Sequence, residues 1–150
     1  MKTVIGNLIT MAMAGDFDVI CHGANCFCSM EAGLALQIKR AFPDAYTADC
    51  ETISGDTHKF GHFSSADIKR PDGSVFVVVN LYTQYPPGRA VDYPAISSAL
   101  LDVKAEYAGK RIGIPQIGCG IAGGSWEIVE KIADHALSGE DVTVVIYDRT

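Results

Sequence analysis

Apolar positions along the chain follow two rhythms. Residues 4–5, 19–22, 75–82, 112–117 and 142–147 are short apolar runs, the pattern of strands covered on both faces. Residues 62–68 precede the third run and are joined to it through Pro71-Asp72-Gly73, which predicts a hairpin. Elsewhere the spacing is helical. From Met30, the positions Gly33, Leu34, Leu36, Ile38 and Ala41 fit a helix packed closely on a sheet and closed by Pro43. Residues 45–53 add a shorter helix. Asp92 or Tyr93 opens a third through Ile96, Leu100, Leu101 and Val103 that ends near Gly109, and residues 125–137 form the last. Residues 7–18 connect the first two strands, with Gly6 and Gly15 as turn residues. Six strands among four or five helices predict an α/β fold with a mixed sheet and helices on both faces.

Composition narrows the picture. At 150 residues and 48% hydrophobic content the chain suits one domain, 1–150, that buries a core without disulfides or metal. Repeats, low-complexity runs, a signal-peptide pattern and an apolar stretch near 18 residues are not seen. Five cysteines without a secretory signal read as reduced thiols. A soluble, cytoplasmic monomer without membrane contact is therefore expected. The net charge of −6 disfavours broad attraction to nucleic acid, so an anionic ligand must be held locally by backbone amides.

Two loops carry candidate chemistry. In the first, Gly118, Cys119, Gly120, Ile121, Ala122 and Gly123 spell G-x-G-x-x-G between a buried strand and a helix that begins near Ser125. Glycines there bring N–H groups close to an anion, and the helix N-terminus adds its positive dipole end. A dinucleotide-binding fold would place this motif at the first strand-helix turn, whereas here a single strand remains downstream. The loop therefore predicts phosphate binding without predicting NAD. The second loop, residues 22–33, also leaves a buried strand for a helix and carries His22, Gly23, Asn25 and Gly33. Two such loops on neighbouring strands make one cleft at the carboxyl edge of the sheet.

These blocks carry a family resemblance over essentially the whole chain. Gly6-Asn7-Leu8, His22-Gly23-Ala24-Asn25 and the block from Pro115 and Gln116 to Gly123 resemble, in order and spacing, three blocks of the macrodomain, the ADP-ribose-binding module. The resemblance implies a three-layer α/β/α fold around a mixed sheet of about six strands. Within macrodomains the chain is most similar to the ADP-ribose-1″-phosphate phosphatase branch, through Asn7, His22, the Pro-Gln-Ile loop with Trp126 after it, and the segment Asn80-Leu-Tyr-Thr-Gln84. The terminal glycohydrolase branch carries a lysine and an aspartate where Gln84 and Ala122 stand. Glu31-Ala32-Gly33 replaces the usual triple glycine.

The resemblance implies an ADP-ribose derivative as the small-molecule partner, with no cofactor and no metal. Asn7 and the adjoining Leu8 backbone would select adenine, residues 118–123 with Gln116 would cradle the diphosphate, and Asn25 would hold the distal ribose. His22 would lie nearest the 1″ position, as general acid, general base or nucleophile in phosphomonoester hydrolysis. From strand position alone, His22 reads as a histidine satisfied by a backbone carbonyl, and Asn25 as a helix N-terminal or turn asparagine. Tyr147, ending the last strand, either stacks on the ligand or caps the core. Tyr82 and Tyr85 with Pro86-Pro87-Gly88 read as a flexible flap, and Asp92 as a helix N-cap. Cys21, Cys26 and Cys28 lack metal-ligand spacing, and Cys119 lacks the arginine of a thiol phosphatase, position 125 being Ser. His58, His62 and His135 need no function. The rivals are a non-catalytic ADP-ribose reader and a hydrolase of ADP-ribosylated protein or nucleic acid.

Overall fold

A computed structural model describes residues 1–148. The strands are β1 (Lys2–Gly6), β2 (Val19–Asn25), β3 (Phe63–Lys69), β4 (Val75–Gln84), β5 (Arg111–Ile114) and β6 (Asp141–Tyr147). They form one six-stranded sheet in the order β1-β6-β5-β2-β4-β3. All neighbours are parallel except β3 and β4, which pair antiparallel as the predicted hairpin. The mixed three-layer α/β architecture expected from the sequence is the one observed.

Helices cover both faces. On one, α4 (Tyr93–Tyr107) and α5 (Trp126–Ala136) pack Ile96, Leu100, Val129 and Ala133 onto Val19, Cys21, Ile112, Ile114 and Val144. On the other, α1 (Leu8–Met13), α2 (Gly33–Ala41) and α3 (Pro43–Cys50) pack Leu8, Ile38 and Ala45 onto Ile20, Phe76 and Val78. Alternation along β2 divides its side chains between the layers, so Val19 and Cys21 join one core and Ile20 the other. At Gly113 an added Cβ would lie 2.7–2.9 Å from the Phe17 ring, so the bare backbone there is what admits the aromatic.

Three boundaries differ from the sequence reading. Residues 7–18 contain α1, whose single buried edge, Leu8 and Ala12, is too short a pattern to register as periodic. Asn7 is its N-cap, its side chain accepting from the Thr10 N–H at 3.0 Å. Strand β5 stops at Ile114 because Pro115 removes a ladder donor, and α2 starts at Gly33 while Met30 is buried in the loop ahead of it. Pro43 closes α2 and also opens α3 in its first turn, where the missing N–H costs nothing.

Candidate functional site

The parallel order places the ends of β2 and β5 side by side, so the loops that follow them share one edge of the sheet. After β5 the chain folds into a tight turn: the Cys119 N–H donates to Gln116, Gly123 to Gly120, and Gly124 to Gly118 at 2.7 Å. Gly118 and Gly123 take φ of +73° and +82°, the left-handed region that glycine occupies at least cost. This leaves the N–H groups of Gly120, Ile121 and Ala122 without an acceptor among the described residues. Successive unpartnered N–H groups in a turn form a concave anion site. Cys119 belongs to the turn itself, its thiol donating to the Ile117 carbonyl at 3.3 Å, with burial raising its pKa.

The loop after β2 supplies the facing wall. Ala32 at the N-cap of α2 offers no side-chain acceptor, so the first-turn N–H groups of Gly33, Leu34 and Ala35 stay uncapped. Gly33 touches the other loop: a Cβ there would sit 3.3 Å from the Ile121 Cδ1 atom, and Ile121 is 56% exposed. Two sets of free donors thus meet across a seam closed by one isoleucine. Asn25 is committed to shaping its own loop, accepting from the Phe27 N–H at 2.8 Å and donating to the Ser29 carbonyl at 2.8 Å. Gly23 lies against Thr83, whose Oγ1 atom would be 2.8 Å from an added Cβ.

A third segment, residues 85–91, touches both walls, Tyr85 accepting from the Cys26 N–H and Val91 reaching the loop after β5. The Gln84 side chain donates to the carbonyls of Pro86 and Gly88 at 2.8 and 2.9 Å and so fixes the turn. The Val91 N–H then donates to Ala122, and the Asp92 N–H to Thr83. Asp92 caps α4 by accepting from the Ala95 N–H at 2.8 Å. Tyr85 is anchored through its hydroxyl to the Gly55 carbonyl at 2.7 Å and its ring stands edge-on to Phe27. The segment is therefore tethered at several points, and Tyr82 is no part of a flap, being wholly buried in β4. Arg89 rides on this segment with its side chain laid across Gly123.

His22 is buried at the cleft end of β2. It is 1% exposed, on the side of β2 that also carries Ile20, facing the layer of α2 and α3. Its Nε2 atom lies 2.6 Å from the Asn80 side-chain oxygen of the neighbouring strand. Asn80 donates its amide to the Ala45 carbonyl and to Ser64, which leaves that oxygen as acceptor and puts the His22 proton on Nε2. Desolvation lowers the His22 pKa, with the Asn80 bond opposing it, so the ring is neutral near pH 7. Ser64 continues the chain to the Tyr82 hydroxyl at 2.8 Å, and Tyr82 donates to Asp49 at 2.7 Å. Burial raises the Asp49 pKa, against the Tyr82 bond that lowers it. This polar seam pins α3 to the sheet beneath the cleft.

Comparison with known proteins places this arrangement. Residues 21–133 match the Macro domain. The chain belongs to the Macro domain family. It is similar to a 17.5 kDa protein from the tk-vs intergenic region of Enterobacteria phage T4, 32% identical over 153 residues that span 99% of this chain and 97% of the phage protein. It is also 27% identical over 139 residues to a DNA ADP-ribosyl glycohydrolase of Mycobacterium tuberculosis, spanning 90% of this chain and 39% of that longer protein. Among solved structures, the macrodomain of Mycobacterium tuberculosis DarG superposes with a TM-score of 0.76 at 25% identity, covering 99% of this chain and 97% of that one.

Within this Macro domain the sequence-predicted residues separate into three groups. Gly33, Gly118, Gly120, Ile121, Ala122 and Gly123 converge on the double donor wall, with Gln116 and Gly23 at its base. Asn7 and Tyr147 sit at the far end of the edge, Gly6 being paired with Tyr147, which at 52% exposure does not cap the core. The Asn7 side chain is engaged as a helix cap, and the Leu8 side chain lies in the core, leaving its backbone for a ligand. His22 stands apart, inside the fold. The residues that sequence reasoning missed are Arg89 and Gln84's tether, since the fold-back of residues 85–91 depends on bonds to Ala122 and Thr83 that no local pattern announces.

Proposed function

We propose that this Macro domain binds ADP-ribose 1″-phosphate and hydrolyses its terminal phosphomonoester. The supporting observation is the pair of facing donor sets, Gly120, Ile121 and Ala122 on one loop and the uncapped start of α2 on the other, which suits a diphosphate held between two walls. In a chain of net charge −6 such backbone donors are what makes anion binding selective to one place.

His22 is buried with its Nε2 proton committed to Asn80, which supports a route that asks little of that side chain. A 1″-phosphate sits on the anomeric carbon and has a route that meets this condition. The C1″–O bond breaks, phosphate departs with the bonding pair, water adds to the oxocarbenium-like carbon, and the water's proton passes to phosphate or solvent. The test is phosphate release in water enriched in oxygen-18. Unlabelled phosphate supports this route; labelled phosphate means attack at phosphorus; ADP-ribose binding without release means a reader.

A second reading, removal of ADP-ribose from DNA, is favoured by the likeness to the mycobacterial DNA ADP-ribosyl glycohydrolase. It breaks a bond at the same carbon. Gln84, where the terminal glycohydrolase branch of macrodomains carries lysine, weighs against it, and release of free ADP-ribose from an ADP-ribosylated oligonucleotide, compared with phosphate release from ADP-ribose 1″-phosphate, decides between the two.

A further inference from the structure

Arg89 stands out among the charged groups near the cleft. Its Cγ, Nε and Cζ atoms lie 2.9–3.0 Å from where a Cβ of Gly123 would be, so the side chain passes directly over the bare backbone of the donor loop. No hydrogen bond or ion pair to Arg89 occurs among the described residues, whereas Arg111 is paired with Asp18 and Arg70 is buried on the carbonyls of Ala12 and Phe17. An exposed arginine is ordinarily a mobile solvated chain. This one is carried by a turn that Gln84 bonds at both Pro86 and Gly88 and that Val91 fastens to Ala122, two residues from its own position. The backbone that carries Arg89 is thereby fixed, and its five donors stand beside a loop whose own N–H groups are unfilled.

Strand order fixes which part of a ligand meets it. Asn7 and Tyr147 lie on the β1 and β6 side of the donor loop, whereas residues 85–91 arrive from β4 on the opposite side, across the end of β2. Arg89 therefore faces the end of the ligand remote from Asn7 and Tyr147. Resting on the reading that the cleft takes an ADP-ribose derivative, we propose that Arg89 is a specificity-determining residue that binds a phosphate attached to the distal ribose and so selects ADP-ribose 1″-phosphate over ADP-ribose. Guanidinium and a dianionic phosphate form paired, charge-assisted bonds, which a neutral 1″-hydroxyl cannot reproduce. Gly123 belongs to the same device, since any side chain there would displace the arginine.

The experiment is calorimetric titration of ADP-ribose and of the 1″-methylenephosphonate analogue of ADP-ribose 1″-phosphate, whose C1″–C bond the proposed reaction cannot break, into the native protein, Arg89→Ala and Arg89→Lys. The native protein is expected to prefer the phosphonate ligand by on the order of 10-fold or more. Arg89→Ala should lose that preference while its ADP-ribose affinity stays within about 2-fold, and Arg89→Lys should recover part of it without the bidentate fit. Equal weakening of both ligands would assign Arg89 to the diphosphate and overturn the proposal, as would an undiminished preference in Arg89→Ala. Absence of ADP-ribose binding by the native protein would instead sink the reading of the cleft itself, and the proposal with it. A preference that appears only for a phosphodiester-linked oligonucleotide end, and not for the free 1″-phosphonate, would transfer the site to a nucleic-acid substrate and refute the proposal as stated.

Discussion

Replacing His22 by alanine should injure the fold more than the chemistry. The change leaves the Asn80 oxygen, now 2.6 Å from His22 Nε2, without a donor in a fully buried site. An orphaned buried acceptor costs about 1–3 kcal/mol. Removing most of a buried imidazole adds a partly collapsed cavity worth about 1–2 kcal/mol. A total near 3 kcal/mol corresponds to a Tm lower by roughly 6–12 °C for a domain of this size. Urea unfolding at pH 7.5 measures it, and His22→Gln, which keeps a donor for Asn80, should recover a substantial part. ADP-ribose affinity of the folded fraction should be unchanged. The pH dependence provides a second reading. The unfolded chain takes up the imidazole proton near the ordinary value of 6.5, and the folded protein only at lower pH because burial opposes the charge. His22 thus contributes its full stability above pH 6.5 and removes it as pH falls below, with a slope of at most about 1.4 kcal/mol per pH unit. That slope should vanish from the difference between native and His22→Ala. A variant within about 0.5 kcal/mol of native stability that has lost phosphate release altogether would refute the reasoning, because it would mean that the ring reaches substrate.

Three further outcomes follow from the packing. Gly113→Ala places a methyl 2.7–2.9 Å from the Phe17 ring and should cost about 1–3 kcal/mol in urea unfolding, with ADP-ribose affinity preserved. Asn7→Ala removes the α1 cap and should cost about 1 kcal/mol, whereas Asn7→Asp keeps an acceptor for Thr10 and should cost little; the two Tm values separate capping from adenine contact. Asp49 has a folded pKa raised by burial, so its charge opposes folding above the ordinary carboxylate range and this penalty fades as pH falls; Asp49→Asn should therefore hold or raise the urea midpoint at pH 7 and lose that advantage at pH 4.

The strands were legible because a sheet covered on both faces leaves unbroken apolar runs, as in Val77, Val78 and Val79. The donor loop was legible through its glycines, whose spacing requires a turn whatever the ligand. Helix α1 was not, since six residues with two buried positions carry no periodic signal. The direction of His22 illustrates a subtler limit. Alternation along β2 puts it on the face of Ile20, yet which face lies under helices and which end opens to ligand is decided by strand order, a non-local property. Arg89 was hidden for the same reason, its position being set by bonds from Val91 and Asp92 to residues on two other segments.

Gln84 links reactivity to loop order in a way that bears on how such domains diverge. Its single amide nitrogen makes both bonds that hold the turn at Pro86 and Gly88. A lysine at this position, which the resemblance assigns to the terminal glycohydrolase branch and not to this chain, would bring a primary amine to the strand end and could not reproduce that planar double contact from a neutral carboxamide. The turn would then need a new anchor, or Arg89 would drift from Gly123. Substitutions at 84 and at 86–89 should accordingly travel together through descent, and a lineage that gained an amine nucleophile would be expected to lose its phosphate-selecting arginine in the same interval.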